Sequence, residues 1–312
     1  VTSDLAPVPQ RALDGGGLRV HLVDGTYELF RAHFSKRPPH AAPSGKDLKA
    51  TVGVVSSLCA LLADEAERVT HLAVAFDNPI ASFRNRLFDG YKSDEGVPPE
   101  LRAQFDDVEA AVAALGVVVW RMGEFEADDA LATAAARFGA EPRVAQVRLM
   151  TPDKDLGQAL VGERVVQVDR ARERLITEAT LRHDRHLAPA SVPDFLALVG
   201  DAADGIPGVD GWGEKSAAAV LAVYPHLEDI PLAAADWRVT PRGAARLAAA
   251  LAGARAQALL YRELATLRRD VPLAEPLDAL AWRGAPRQRY LAWCEAVGSE
   301  RLKDRPPRWA EG

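Results

Sequence analysis

The apolar positions of this chain change their period as it proceeds. LRVHLVD (18–24), THLAVAFD (70–77), VVVW (117–120), VAQVRLMT (144–151) and RVVQVD (164–169) are short, nearly continuous apolar runs with the length and β-branched content of buried strands. Between them the apolar residues recur every three to four positions. LKATVGVVSSLCALLADEAERV (48–69) has this helical period throughout. PELRAQFDDVEAAVAALG (99–116) adds a proline start, early acids and a glycine stop, and a further helix is predicted near 126–138. Alternation of this kind predicts an α/β fold: a mainly parallel central sheet of four to six strands flanked by helices. After about residue 190 the strands cease. SVPDFLALVG, GWGEKSAAAVLAVY and TPRGAARLAAALAGARAQALLYRELATLRRD read as consecutive helices, an α-helical C-terminal subdomain. The expected divisions are a flexible leader at 1–18, an α/β core at 19–190, a helical subdomain at 191–290 and an aperiodic, loose tail at 291–312.

Composition narrows the class without naming a function. The 312 residues are 48% hydrophobic and 26% charged, which excludes disordered and collagen-like chains. Two cysteines, Cys59 and Cys294, are too few and too far apart for a disulfide framework or a CxxC zinc pair. No run approaches the roughly 18 to 20 apolar residues of a membrane span, and the first residues lack a signal-peptide pattern. A soluble cytoplasmic protein with no membrane partner is expected. The net charge of −6 argues at first against nucleic acid, whose partners are usually basic.

The placement of the acids changes that. Asp24 and Asp77 end the first two predicted strands. Glu126, Asp128 and Asp129 follow the third, Asp153 and Asp155 follow the fourth, and Asp201 and Asp204 open the helical region. In an open parallel sheet the loops at the carboxyl ends of strands converge on one crevice. Each group alone has an ordinary explanation: acids favour helix N-termini, DxD is a common turn, and an i,i+3 pair is a common solvated face. Together they form a constellation of hard oxygen ligands without histidine or cysteine, which points to Mg²⁺ or Mn²⁺. Of the 44 acids these are nine, leaving 35 against 38 Lys and Arg, a net of +3 for the rest of the chain. A phosphodiester substrate is therefore compatible with the acidic composition.

Gly208-Val-Asp-Gly-Trp-Gly213-Glu-Lys215-Ser216 approximates a P-loop, but Glu214 separates the last glycine from the lysine and no strand precedes it. The segment reads either as an ordinary helix–turn–helix hairpin or as a glycine-rich turn opening onto a helix N-terminus, where free N–H groups and Lys215 suit a backbone phosphate.

These residues together resemble the bacterial 5′ nuclease family, the flap endonucleases and the 5′→3′ exonuclease domain of DNA polymerase I. The resemblance runs through LVDGTYELFRAHF (22–34), AFD with FR and YK (75–92), EADD (126–129), TPDKDL (151–156) and DFLALVGDAADGIPGVDGWGEKSA (194–217). It implies a PIN-like fold with a helix–two-turns–helix motif, and an enzyme hydrolysing phosphodiesters in DNA replication and repair. Two or three divalent ions would be held by Asp24, Asp77, Glu126, Asp128, Asp129, Asp153, Asp155, Asp201 and Asp204. Glu126, Asp128, Asp129 and Asp153 are expected nearer one ion, Asp155, Asp201 and Asp204 nearer another, and Asp24 and Asp77 act through metal-bound waters. Arg31, Arg84 and Lys92 would hold the scissile phosphate, with Arg31 and Arg84 alternatively ordinary surface residues. Tyr91 would stack on a base, or else sit in the core. Gly208, Gly211, Gly213, Lys215 and Ser216 would contact duplex DNA, with K⁺ bound by carbonyls of the Gly208–Gly213 turn. The implied partners are branched or nicked duplex DNA and RNA–DNA primer junctions, met by a stand-alone monomer.

Departures from the family pattern sit in YKSDEGVPPEL, which puts acids at Asp94 and Glu95 in the arch, at Gly205 in place of the usual Asn, and at Pro152. The basic, proline-rich SKRPPHAAPSGK (35–46) offers contacts elsewhere. The competing readings are a catalytically weak branched-DNA-binding protein, and a PIN-like ribonuclease or metal phosphatase.

Overall fold

A computed structural model describes residues 16–311, so most of the expected leader lies outside the described residues. Six strands form one sheet: β1 (Leu18–Asp24), β2 (His71–Asp77), β3 (Val118–Met122), β4 (Val144–Met150), β5 (Val165–Asp169) and β6 (Arg174–Ile176), in the order β3-β2-β1-β4-β5-β6. All neighbours run parallel except β5 and β6. The mainly parallel sheet is as expected. The antiparallel edge strand is not; RLI is three residues long and mostly exposed, too short to leave an apolar pattern.

Alternate residues of the strands face two different layers. Val23, Leu72, Val74 and Phe76 pack with helices α1 (Gly25–His33), α2 (Lys49–Ala63) and α3 (Phe105–Ala114). Val20, Leu22, Ala73, Ala75, Val147 and Leu149 pack against α4 (Ala127–Gly139) on the other face. The chain leaves β1 toward β2 and β3 on one side, then crosses to β4 and β5 on the other. The order therefore reverses between β1 and β4, and the loops beyond Asp24 and Met150 splay apart to leave a crevice.

The helix expected over 99–116 is broken into Pro99–Arg102 and α3. Gln104, fully buried at the break, accepts the Ala50 and Thr51 N–H groups at the start of α2, both at 3.1 Å. A buried side chain spent on capping a neighbouring helix leaves no trace in the periodicity of its own segment.

After α5 (Glu178–Arg185) come α6 (Val192–Val199), α7 (Glu214–Leu221), α8 (Ala244–Gly253) and α9 (Arg255–Ala265), which bury a cluster of their own around Leu198, Trp212, Val220 and Leu251. The chain then returns to the sheet. Leu267, Val271, Leu273, Leu277 and Leu280 lie with the alanine-rich α4, and Trp282, Tyr290, Cys294 and Leu302 join the opposite layer through α10 (Arg287–Ala296). The end of the chain is thus not the loose tail expected for 291–312: Trp309 packs on Tyr290, and Ala310 N–H donates to Ala285 O at 2.9 Å. Its anchors are spaced irregularly because short turns and a 3₁₀ turn follow the end of α10, so no period announces them.

Candidate active site

Strands β1 and β2 end in acids, and Asp153 follows three residues after the end of β4. Asp24 is the N-cap of α1 and accepts the Tyr27 N–H at 2.8 Å; its other oxygen accepts the Thr151 hydroxyl at 3.1 Å across the β1–β4 gap. Register places Asp24 opposite Ala75, so Asp77 projects two residues further along β2. Asp77 in turn accepts the Ala127 N–H at 2.7 Å and so ties β2 to the start of α4. Asp153 opens a 3₁₀ turn, accepting the Asp155 N–H at 2.9 Å.

These carboxylates crowd one another. Burial pushes Asp24 up to about 7, and the charges of Asp77 and Asp153 add to the rise. Asp128 is pushed well above the carboxylate range by burial and by Asp153 and Asp24. Asp155 rises likewise through burial and through Asp153, Asp204 and Asp201. Oxygens of Asp155, Asp201 and Asp204 all lie within 4.8 Å of one another. Asp128 Oδ1 and Asp155 Oδ1 are buried with no hydrogen-bond partner. A buried carboxylate oxygen facing other carboxylates, without a donor, is one that a bound cation would satisfy.

Two lysines reach into the cleft. Lys92 Nζ is 2.8 Å from Glu126 and 3.1 Å from Asp204, and Lys154 Nζ is 3.0 Å from Asp201. Burial alone would raise Glu126; Lys92 and Arg84 instead hold it below the usual carboxylate range. Lys154 was not singled out from the sequence, although a lysine between two acids in DKD is the kind of signal that marks such a counter-charge.

Four of the expected roles do not survive the geometry. Arg84 is fully buried and cannot meet a phosphate in the cleft: its guanidinium is bidentate to Asp129, at 2.7 Å for both contacts, and donates to Leu264 O and Thr266 O. Asp129 is equally buried, and its oxygens also accept the Glu126 and Arg268 N–H groups, so no lone pair is left for a metal. This pair locks α4 to the segment returning from α9. Tyr91 is a core aromatic, 5% exposed, with its hydroxyl on Glu126 at 3.2 Å, and has no face free for a base. Arg31 lies outside the carboxylate cluster; it pairs with Glu28 and donates to Ser57 Oγ at 3.1 Å.

One of the two arch acids also finds internal partners. Asp94 accepts the Ile80 N–H at 3.3 Å and pairs with Arg102 at 3.4 Å, leaving Glu95 exposed.

The glycine-rich turn lies beside the cleft. Gly205 has φ +75°, and a Cβ there would sit 2.1 Å from Gly90 O, so this position accepts only glycine. Lys92 N–H donates to Asp204 O at 3.0 Å in the same contact, which joins the lysine loop to the acids after α6. Gly208, φ +78°, folds the turn back onto α6: a Cβ would meet Gly200 N at 2.5 Å. Gly213 is the N-cap of α7, bonded to Ser216 Oγ at 3.1 Å, while Gly211, Gly213 and Lys215 are exposed. The P-loop alternative is excluded, since α6 rather than a strand precedes the turn.

Two family models match in succession, the 5′–3′ exonuclease N-terminal resolvase-like domain over residues 19–185 and the 5′–3′ exonuclease C-terminal SAM fold over residues 187–288. The chain belongs to the 5′–3′ exonuclease family. It is 33% identical over 283 residues to DNA polymerase I of Bacillus caldotenax, covering 89% of this chain and 31% of that protein. It thus spans about a third of the length of the curated relatives it matches. Among solved structures, the bacteriophage T5 D15 protein crystallised with metal ions has a TM-score of 0.61 at 17% identity, over 92% of this chain and 97% of that one. The T5 D15 flap endonuclease in a complex with DNA and metal ions has a TM-score of 0.58 at 18% identity, over 92% and 96%. At such identities these likenesses speak for the fold. The family is one of 5′–3′ exonucleases. Its two family units meet between residues 185 and 187, and the cleft is built from both: seven of the nine expected acids come from the sheet unit, Asp201 and Asp204 from the helical one.

Proposed function

We propose that this protein is a metal-dependent, structure-specific 5′ nuclease that cuts DNA at flaps, nicks and RNA–DNA primer ends in replication and repair. The observation that carries the reading is the crowd of carboxylates at the β1–β4 switch point, two of whose buried oxygens face their neighbours without a donor. Hard oxygens in that arrangement fit Mg²⁺ or Mn²⁺. Asp155, Asp201 and Asp204 would hold one ion, and Asp128 and Asp153, with Asp24 and Asp77 behind them, another. When bound, such ions supply an activated water and stabilise charge on the attacked and leaving oxygens.

The chain's own residues do the rest. Lys92, bridging Glu126 and Asp204, keeps a positive charge in the cleft for the scissile phosphate. Exposed Lys215 and the N–H groups at the start of α7 take a backbone phosphate of the duplex without reading sequence, aided by K⁺ on the Gly208–Gly213 carbonyls.

The test is cleavage of 5′-end-labelled flap DNA by the full chain with Mn²⁺, beside an EDTA lane and Asp153→Asn. Cutting near the junction that vanishes in both controls is the expected result. Binding without cutting in any lane would leave a recognition protein instead.

A further inference from the structure

The carboxylate cleft holds its two lysines in different ways. Lys92 Nζ lies between two carboxylates, 2.8 Å from Glu126 and 3.1 Å from Asp204, with the Tyr91 ring 5.7 Å away. Its backbone is tied down as well: Lys92 N–H donates to Asp204 O at 3.0 Å, and its carbonyl accepts Asn85 Nδ2 at 2.9 Å. Lys154 has one carboxylate partner among the described residues, Asp201 Oδ2 at 3.0 Å, and its side chain is 36% exposed. It opens a 3₁₀ turn (Lys154–Ala159), so its stem leaves the backbone at the edge of the cleft.

The partner of Lys154 is held firmly. Asp201 exchanges both backbone hydrogen bonds with Ile206, each 2.8 Å, and its Oδ1 accepts the Ala203 N–H at 3.0 Å. Oδ2 is the oxygen left over, and the ammonium takes it. The same carboxylate belongs to the triad of Asp155, Asp201 and Asp204, whose oxygens lie within 4.8 Å of one another. Asp155, 4% exposed, keeps Oδ1 there without any donor, so one member of the triad still lacks a positive partner. A divalent ion and an ammonium on one carboxylate would repel each other at close range. The ion carries twice the charge and meets three carboxylates, whereas Lys154 gives up a single contact. The lysine also has somewhere to go: with Pro152, Arg174 and Asp184 it lines a cavity of about 40 Å³, room for a water-sized ammonium group.

We propose that Lys154 is the exchangeable counter-charge of the cleft. It neutralises Asp201 in the metal-free protein, and its ammonium leaves Asp201 when a divalent ion takes the triad, while Lys92 stays in place. Metal binding is then an exchange of cations, with an affinity tempered by the lysine that must be displaced. The inference rests on the metal-dependent reading of the cleft and adds to it a role for a residue that is not a ligand.

The experiment uses the full chain without DNA. Mn²⁺ binding is followed by the electron paramagnetic resonance signal of the free ion. Lysine exposure is followed by brief acetylation with an N-hydroxysuccinimide ester and mass spectrometry, in EDTA and in saturating Mn²⁺. Lys154 should acetylate about tenfold faster with Mn²⁺, with exposed Lys215 unchanged and Lys92 slow in both; this arm needs no variant. Lys154→Met should bind Mn²⁺ about tenfold more tightly than the parent, and Lys154→Arg, which keeps the charge, should stay near the parent. Thermal melting in EDTA verifies that both variants are folded. If Mn²⁺ binds but leaves Lys154 acetylation unchanged, or if Lys154→Met gains no more than about twofold in affinity, the exchange is overturned and the metal reading stands. Failure of parent and variants alike to bind Mn²⁺ would overturn the metal reading and this inference with it.

Discussion

Asp128 and Asp129 are adjacent in the first turn of α4 and have opposite parts. Asp128 faces Asp153 and Asp24 with an unpartnered oxygen; Asp129 faces inward and is saturated by Arg84 and two backbone amides. Asp129→Asn should therefore cost about 3–5 kcal/mol of stability, because it strands a buried guanidinium. Urea unfolding in EDTA measures it, and a loss under 1 kcal/mol would contradict the locking role. Asp128→Asn removes like-charge repulsion and should leave metal-free stability equal or higher while flap cleavage falls by about a hundredfold or more. The EADD string shows that acids belong here, but not which of them turns inward. That choice depends on Arg84, which is 45 positions away in sequence.

At the scale of elements, the close approach of the turn after α6 to the lysine loop sets where Lys92 stands. Gly205→Ala places a Cβ against Gly90 O in a left-handed backbone conformation, and should destabilise by about 3 kcal/mol and lower cleavage. Denaturant midpoints and cleavage rates check it; unchanged values would show that the two loops are not in contact. The replacement of the family's usual Asn by glycine is thus accommodated by tight packing. Lys215 makes the complementary case, an exposed charge at the start of α7. Lys215→Ala should weaken duplex binding equally for all sequences and flatten the salt dependence of log K by about one unit. An unaltered slope would remove Lys215 from the phosphate contacts.

For the whole molecule the question is how a fold tolerates so many acids in one cleft. Asp24, Asp128 and Asp155 have pKa values raised by burial and by each other, so between about pH 4 and 7 the folded chain binds more protons than the unfolded one. Their contribution to stability is present at low pH and is lost as pH rises through those raised values. Buried His21, whose pKa burial lowers, gives the opposite slope, its contribution being lost as pH falls. The informative quantity is therefore the melting difference between Mn²⁺ and EDTA. It should be small at pH 5, where protons occupy the cleft, and about 5 °C or more at pH 8 with metal well above its Kd. Equal differences at the two pH values would mean that the metal does not compete with those protons.

The chain alone determines the layers and the inventory of the cleft. Strand periodicity sets the faces of the sheet, and acids at strand ends need only the rule that carboxyl ends converge. Four things were decided by the tertiary structure. Arg84 and Asp129 were withdrawn from chemistry into a buried pair, and Tyr91 into the core. Lys154 was brought onto Asp201. The aperiodic end of the chain was packed onto the sheet, and four arginines from separate stretches were gathered around one cavity. Periodicity reports how a residue lies within its own element, whereas each of these outcomes depends on which distant side chain satisfies its charge or its surface. That partnership exists only once the layers have closed.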